Sequence, residues 1–159
     1  MIPYVTLLDY DLGRYGGGEK RLFEISEKLG LPKTSTKEIL EEHSVFFSYP
    51  LDFDMLMINA FPDFYKNNGQ NDEHDELVKA VLGKKGDETK YVSPNKFFTD
   101  EVLRKYRYLF KTKSKVASHY LICDKIKEMG QSDFEQKCPT VLHRLINKAC
   151  DILKKSQFQ

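Results

Sequence analysis

The segment YVTLLDYDLGRYGGG, residues 4–18, carries the clearest structural signal in the chain. Its opening residues, Tyr4–Leu8, are mostly apolar or β-branched, a composition typical of a short buried strand. Asp9 and Asp11 follow this strand, and a polar, glycine-rich loop continues to Gly18. Open α/β sheets bind their ligands outside the carboxyl ends of the strands. The segment therefore predicts a strand that brings two carboxylates to a ligand-binding edge.

Downstream of this segment, strand and helix patterns alternate before the chain becomes helical. The predicted elements are helix Glu19–Leu29 stopped by Gly30, a short helix with a capping box at Ser35 and Glu38, strand Ser44–Tyr49, helix Leu51–Phe61, and helices Asp75–Leu82, Thr99–Phe110, Ala117–Met129 and Pro139–Lys154, with a second capping box at Ser132 and Glu135. We expect an α/β fold in which residues 1–66 form the core with a short, mostly parallel sheet, residues 67–95 form a surface insertion, and residues 96–159 form a helical C-terminal region of the same domain.

The composition is that of one soluble globular domain. The 159 residues are 40% hydrophobic and 31% charged, with 25 basic residues against 24 acidic ones. Because the net charge is only +1, any affinity for nucleic acid or metal has to come from local clusters. No apolar run reaches the roughly 20 residues that span a bilayer, and no signal-peptide pattern is visible. We expect a cytoplasmic protein without a membrane partner, and three cysteines, an odd number, favour reduced thiols in the core.

Asp9 and Asp11 are the first candidates for chemistry. Carboxylates one residue apart at a strand end can reach the same hard cation, and Mg²⁺ is usually held by one or two carboxylates with water and phosphate oxygens. The alternative is an ordinary solvated turn, since aspartates are common after strands. The glycines at 16–18 let a ligand approach the backbone, and Arg14 can pair with a phosphate. These features favour a site for metal and phosphate.

The stretch LLDYDLGRYGGG closely resembles the third-strand motif of the TOPRIM domain in OLD-family (overcoming lysogenisation defect) ATP-dependent endonucleases. The likeness continues in VFFSYPLDFD at 45–54 and AFP at 60–62, and more weakly in YRYLFK at 106–111 and in Ser114–Lys115. It implies the later part of a TOPRIM-like (Rossmann-like) fold and a site that cuts or nicks DNA with Mg²⁺ or Mn²⁺, as two ions. It also implies DNA as substrate and an ATPase module as partner.

The resemblance assigns roles to four aspartates. Asp9 and Asp11 would be metal ligands and catalytic residues, and one or both of Asp52 and Asp54 would complete the metal shell. Without the resemblance, Asp52 and Asp54 are equally well explained as acids at a helix N-terminus, where they complement the helix dipole. The histidines show no ligand spacing such as HxxxH, and we expect His119 to be structural or at the surface.

Basic side chains and aromatic rings alternate between residues 104 and 115. Basic groups neutralise phosphates and aromatic rings stack on bases, but an exposed basic face over buried aromatics is an equal alternative. The predicted phosphate contacts are Arg14, Arg104, Arg107, Lys111 and Lys113. Lys115 aligns loosely with a basic residue that such nucleases use near the scissile phosphate. There it would be catalytic by stabilising developing negative charge, and Lys113 competes for this role.

The chain also departs from the family pattern. TOPRIM domains carry an acidic residue, usually glutamate, after their first strand, and no counterpart precedes Asp9 here. A GxxxxGK[ST] phosphate loop is absent as well. A truncated gene, a misassigned start codon or a separate upstream chain that supplies the missing part would each explain this. We expect the isolated chain to be a weak or inactive nuclease, with unpaired strand edges that favour association, including a homo-oligomer.

Two other classes of function fit parts of the sequence. A non-catalytic DNA-binding or assembly module would keep the fold without the chemistry, which agrees with the missing glutamate but not with the two retained aspartate pairs. A phosphohydrolase of small phosphorylated molecules would have no affinity for DNA, and the basic and aromatic run counts against it. Salt-dependent DNA binding separates these two classes.

Overall fold

The computed structural model describes residues 4–67, 73–82, 96–111 and 115–156. Within these ranges the elements are, in chain order, β1 (Thr6–Asp9), α1 (Glu19–Lys28), α2 (Lys37–Glu42), β2 (Val45–Ser48), α3 (Phe53–Ala60), a 3-10 turn (Pro62–Phe64), α4 (His74–Leu82), α5 (Asp100–Lys111), α6 (Lys115–Glu128), α7 (Gln131–Lys137) and α8 (Thr140–Ser156). The expectation of a mixed α/β fold with a helical C-terminal part is confirmed. No helix in the described ranges is both long and apolar enough to cross a membrane.

The strands β1 and β2 pair in parallel, with Thr6 opposite Val45 and Asp9 opposite Ser48. Every residue of β2 is buried, as expected for a strand with an apolar sequence that is covered on both faces. Helices α1 and α2 lie between the two strands in sequence and provide the crossover that a parallel pair requires. The predicted parallel pairing is confirmed for these strands, and their carboxyl ends meet at one edge.

The chain divides into two compact units, and the first comprises the described residues within 1–12, 16–53 and 139–159. One buried apolar cluster in this unit consists of Tyr10, Leu40, Val45 and Phe47, against which Leu8, Leu12, Leu22, Ile25, Leu29 and Leu31 pack. Helix α8 belongs to this unit. Its Arg144 makes a two-pronged ion pair with Glu41 of α2, with the Nε–Oε2 and Nη2–Oε1 distances both 2.8 Å.

The second unit comprises the described residues within 13–15 and 54–138. Helices α4 and α5 pack against each other in this unit. Their buried apolar residues are Leu77, Val78, Val81 and Leu82 from α4, and Val102, Leu103, Tyr106 and Leu109 from α5. The helix predicted within residues 67–95 is therefore present and packed, and residues 68–72 and 83–95 lie outside the described ranges.

Both predicted capping boxes are wrong in detail. Helix α2 is capped by Thr36, whose side chain accepts a backbone N–H of the first turn at 3.5 Å. Its neighbour Ser35 instead donates to the Pro32 carbonyl at 2.6 Å, and this bond closes the preceding turn. Helix α7 has Gly130 at its N-cap, so Ser132 lies inside the helix. Ser35 lies one position before the observed N-cap of α2, and Ser132 lies two positions after that of α7.

All three cysteines are free thiols, as the odd count suggested. The expectation that they lie in the core is wrong for two of them, because Cys123 and Cys150 are exposed and only Cys138 is buried. Burial raises the pKa of the Cys138 thiol above its ordinary value.

Candidate functional site

Asp9 stands at the carboxyl end of β1, and its side chain reaches the neighbouring strand. Its Oδ1 accepts hydrogen bonds from the Ser48 hydroxyl and from the Phe53 backbone N–H, each at 3.1 Å. Phe53 is the first residue of α3, and the positive end of a helix dipole favours a carboxylate. Asp9 itself is exposed, and no described residue donates a hydrogen bond to its Oδ2. One carboxylate oxygen is therefore fixed, while the other is available to a ligand.

Asp11 adopts the left-handed backbone conformation, with φ 56°, which aspartate tolerates better than most residues with a side chain. Its amide donates to the Leu51 carbonyl at 2.6 Å, and the Leu12 amide donates to the Pro50 carbonyl at 2.9 Å. These bonds tie the loop after β1 to the loop after β2. Gly17 approaches so closely that a Cβ at this position would collide with the Asp11 carbonyl oxygen. The packing of the loop itself therefore requires a glycine at position 17.

Arg21, near the start of α1, connects the two aspartates. Its Nη1 donates to the Asp9 backbone oxygen at 2.6 Å and to Asp11 Oδ2 at 2.7 Å. The Asp11 side chain is 14% exposed and that of Arg21 33%, so the ion pair is only partly shielded from water. The sequence interpretation missed Arg21, although a basic residue just after a glycine loop at a helix start is a visible signal. A cation that binds Asp11 has to share the carboxylate with this guanidinium or displace it.

The second acidic pair is divided between the two units. Asp52, in the link between β2 and α3, is 5% exposed and belongs to the first unit. Asp54 is buried in the first turn of α3 and belongs to the second unit. Its Oδ1 lies 2.8 Å from Nε2 of His119, whose ring meets that of Tyr65 edge-on. The position of Asp54 agrees with the helix-dipole interpretation, and the contact of His119 with it was not foreseen from the sequence.

The carboxylates of the first unit fit a hard cation that takes few ligands from the protein. Asp9 offers an exposed oxygen, and Asp11 follows two residues later in the same unit. Mg²⁺ usually takes one or two carboxylates and completes its shell with water and phosphate oxygens. In the described part of the chain, no group of three or more His, Cys, Asp or Glu side chains is arranged to hold an ion. The donor set therefore suits an ion shared with a phosphate-bearing substrate better than an ion enclosed by protein.

The structure brings some of the predicted phosphate contacts together in one cleft. Three of them line a cleft of about 280 Å³ in the second unit: Arg14, Arg107 and Lys111. Arg104 lies one turn earlier on α5 and is not part of that lining. Lys105, in the same run, is buried and its Nζ pairs with Glu101 at 2.6 Å, so its role is structural. Lys113 lies outside the described residues, and so does the side chain of Lys115.

Comparison of the chain with models of protein families gives no match, and comparisons with curated proteins and with solved structures give none either. The resemblance of LLDYDLGRYGGG to the TOPRIM motif of OLD-family nucleases therefore stays a prediction. The function has to be argued from the geometry of the chain itself.

Proposed function

We propose that this chain is the carboxylate-bearing part of a Mg²⁺- or Mn²⁺-dependent DNA endonuclease, in which Asp9 and Asp11 bind the ion. The observation that carries this assignment is the environment of Asp9. One of its oxygens is held by Ser48 and by the first amide of α3, and the residue is exposed at the carboxyl end of a parallel strand. A carboxylate locked in this way is preorganised for a cation, since its orientation is set before the ion arrives.

The surrounding residues have distinct tasks in this site. Asp52, buried in the link between β2 and α3, adds negative potential that favours a cation. Arg21 pairs with Asp11 and offers a positive charge to a phosphate oxygen of the substrate. A bound ion would supply Lewis-acid polarisation of the phosphodiester and a water of lowered pKa. Asp54 belongs to the second unit, where its Oδ1 contacts His119, so the proposed site does not include it.

Two ions, as the resemblance implies, need more ligands than Asp9 and Asp11 supply. The acidic residue that TOPRIM domains carry after their first strand is one source, and a partner chain with the ATPase module is another. We therefore propose that full nuclease activity requires such a partner. The binding of a single ion by Asp9 and Asp11 can be tested without it.

Asparagine substitutions separate metal binding from the structural role of the two aspartates. Asp9→Asn keeps an oxygen that accepts from Ser48 and from the Phe53 N–H. Asp11→Asn keeps a residue that tolerates a positive φ. Both changes preserve shape and remove charge. Asp151→Asn, at an exposed position of α8, is a control that loses one negative charge, as each of the two single substitutions does.

Calorimetric titration with Mn²⁺ is the decisive measurement. We expect the wild type and Asp151→Asn to bind the ion and the Asp9→Asn/Asp11→Asn variant to bind it at least tenfold more weakly, which is about 1.4 kcal/mol. Circular dichroism checks that the double variant is folded. If a folded double variant binds Mn²⁺ as tightly as the wild type, or if the wild type does not bind it, the assignment fails. Nicking of supercoiled DNA that requires Mn²⁺ and disappears in the double variant would add the chemical step.

A non-catalytic DNA-binding module is the second candidate, and two observations favour it. Asp9 already serves as acceptor for the first amide of α3, and Asp11 already pairs with Arg21, so both aspartates have structural roles without an ion. In addition, no acidic residue is found among the described residues that line the cleft of Arg14, Arg107 and Lys111. Such a module would bind DNA in the presence of EDTA, with a steep salt dependence, and would not bind Mn²⁺.

A further inference from the structure

The cleft in the second unit is built by residues that are far apart in the chain. Arg14 lines it together with residues of α4 and α5. Its Nη2 donates to the Tyr106 hydroxyl at 2.6 Å and to the Val81 carbonyl at 3.2 Å. Both acceptors are neutral groups, and the two hydrogen bonds orient the guanidinium. Arg14 is therefore held as a cation on one wall of the cleft.

Two further cations stand on the α5 wall. Arg107 and Lys111 are one helical turn apart and line the same space. Together with Arg14 they place three positive side chains around a cleft of about 280 Å³, and the described residues of its lining include no carboxylate. This volume is close to the lower end for small-molecule sites, roughly 300 Å³. A compact anion with several oxygens can accept hydrogen bonds from more than one of these cations at once.

An aromatic ring stands next to these cations. Phe110 is 52% exposed, lines the cleft, and contacts the buried ring of Tyr106 at a centroid distance of 4.5 Å. An exposed aromatic ring beside phosphate-binding cations is the combination with which proteins stack a nucleobase. The remaining lining, Ala80 and Val81, is apolar and small. The cleft thus has a cationic part for a phosphate and an aromatic part for a base.

We infer that this cleft binds the phosphate of a nucleotide, with Arg14, Arg107 and Lys111 at the phosphate oxygens and the attached base on Phe110. The choice of a nucleotide over other phosphate esters rests on the proposed action on DNA. Two sources offer this chemistry, the phosphorylated end of a DNA strand and a free nucleotide.

The test measures binding of a labelled strand in the presence of EDTA. The probe is an oligothymidylate with fluorescein at its 3′ end, prepared with either a 5′-phosphate or a 5′-hydroxyl group, and fluorescence anisotropy reports its binding to the full chain. The variants are Arg107→Gln, Lys111→Gln and Phe110→Ala. The last two alter exposed residues and should leave folding intact. Lys155→Gln, at an exposed position of α8, is the control that loses the same charge.

We expect the 5′-phosphorylated strand to bind the wild type at least fivefold more tightly than the 5′-hydroxyl strand. Lys111→Gln and Arg107→Gln should each remove most of this preference and lower the slope of log K against log salt by about one. Phe110→Ala should weaken both strands at least fivefold, since stacking is lost. Lys155→Gln should change binding less than twofold.

Competition identifies the source of the phosphate. If unlabelled thymidine 5′-monophosphate displaces the probe as well as the unlabelled phosphorylated strand does, the ligand is a free nucleotide. If only the strand displaces the probe, the ligand is a strand end. A preference for the 5′-phosphate that survives Lys111→Gln and Arg107→Gln, or that Lys155→Gln removes equally, would overturn the inference. So would unchanged binding in Phe110→Ala.

The use of EDTA keeps the cleft and the carboxylate site distinguishable. Retained preference for the phosphorylated strand in a chain that does not bind Mn²⁺ would refute the metal-dependent function and leave the cleft assignment standing. Mn²⁺ binding without a preference for the phosphorylated strand that depends on the cleft residues would refute the cleft assignment and leave the metal-dependent function standing.

Discussion

The hydroxyl of Tyr65 is buried and has no hydrogen-bond partner among the described residues. The residue is 7% exposed, and its ring packs edge-on against His119. A buried, unsatisfied polar group costs about 1–3 kcal/mol, and phenylalanine fills the same space without that group. We expect Tyr65→Phe to raise the free energy of unfolding by about 1 kcal/mol. For a chain of this length, that gain corresponds to a rise of roughly 2–4 °C in Tm.

The same substitution has a signature at alkaline pH. Burial, and then the negative charges of Asp54 and Cys123, raise the pKa of Tyr65 far above its ordinary value. A tyrosine in the unfolded chain ionises near pH 10, whereas folded Tyr65 keeps its proton. The free energy of unfolding is therefore unaffected by this ionisation below about pH 10, and it falls as the pH rises from there towards the raised pKa of Tyr65. The wild type should lose stability above about pH 10 more steeply than Tyr65→Phe.

Tyr106→Phe is the matched control, because its hydroxyl is buried but paired. It accepts from Arg14 at 2.6 Å, and loss of a hydrogen bond to a charged donor costs about 1.5–3 kcal/mol. Urea unfolding followed by circular dichroism, at neutral pH and in steps through pH 9–11, compares both variants with the wild type. The reasoning is refuted if Tyr65→Phe is less stable than the wild type at neutral pH, or if both respond identically to alkaline pH.

Three further changes test the loop, the ion pair and the buried thiol. Gly17→Ala places a Cβ against the Asp11 carbonyl and should lower the free energy of unfolding by about 1–3 kcal/mol in thermal unfolding, whereas Gly130→Ala meets open space and should cost less than about 1 kcal/mol. Arg21→Gln removes a partly exposed ion pair that contributes about 0.2–1 kcal/mol, and it should tighten Mn²⁺ binding by up to about fivefold in the calorimeter. Weaker binding would mean that Arg21 positions Asp11 for the ion. The buried Cys138 thiol, with its raised pKa, should react slowly with Ellman's reagent in the folded protein, whereas the other two cysteines react at once, and three equally fast thiols would contradict its burial.

The strands and the first helix were predictable because their signals are local. The runs Tyr4–Leu8 and Ser44–Tyr49 are short and largely apolar, and the observed strands lie at Thr6–Asp9 and Val45–Ser48. Gly30 was expected to end the first helix, and it adopts φ 70°, a conformation that favours glycine over other residues. A composition pattern within a few residues was sufficient for these elements.

Side-chain partners across long separations were not predictable in this way. Arg14 contacts Tyr106 over 92 residues, and Asp54 contacts His119 over 65. Helical spacing places Arg107 one turn from Lys111 on α5. The cleft that both residues line exists only because α4 packs against α5. Such contacts depend on how several elements pack, and a basic run in one segment contains no information about the opposite wall. The sequence therefore predicted the basic residues of the cleft, but it did not show which of them line it together.

Asp9 and Asp11 differ in how much their present contacts interfere with an ion. The structural bonds of Asp9 use Oδ1 alone, so an ion at Oδ2 would leave the hydrogen bond to the first amide of α3 intact. Asp11 has to give up or share its bond with Arg21, and a partly exposed ion pair of this kind contributes only about 0.2–1 kcal/mol. The capping role of Asp9 is thus compatible with metal binding, and the cost at Asp11 is small. In the proposed site, the number of protein oxygens at this edge would limit the affinity for a cation, because two carboxylates leave most of an octahedral Mg²⁺ shell to water and phosphate.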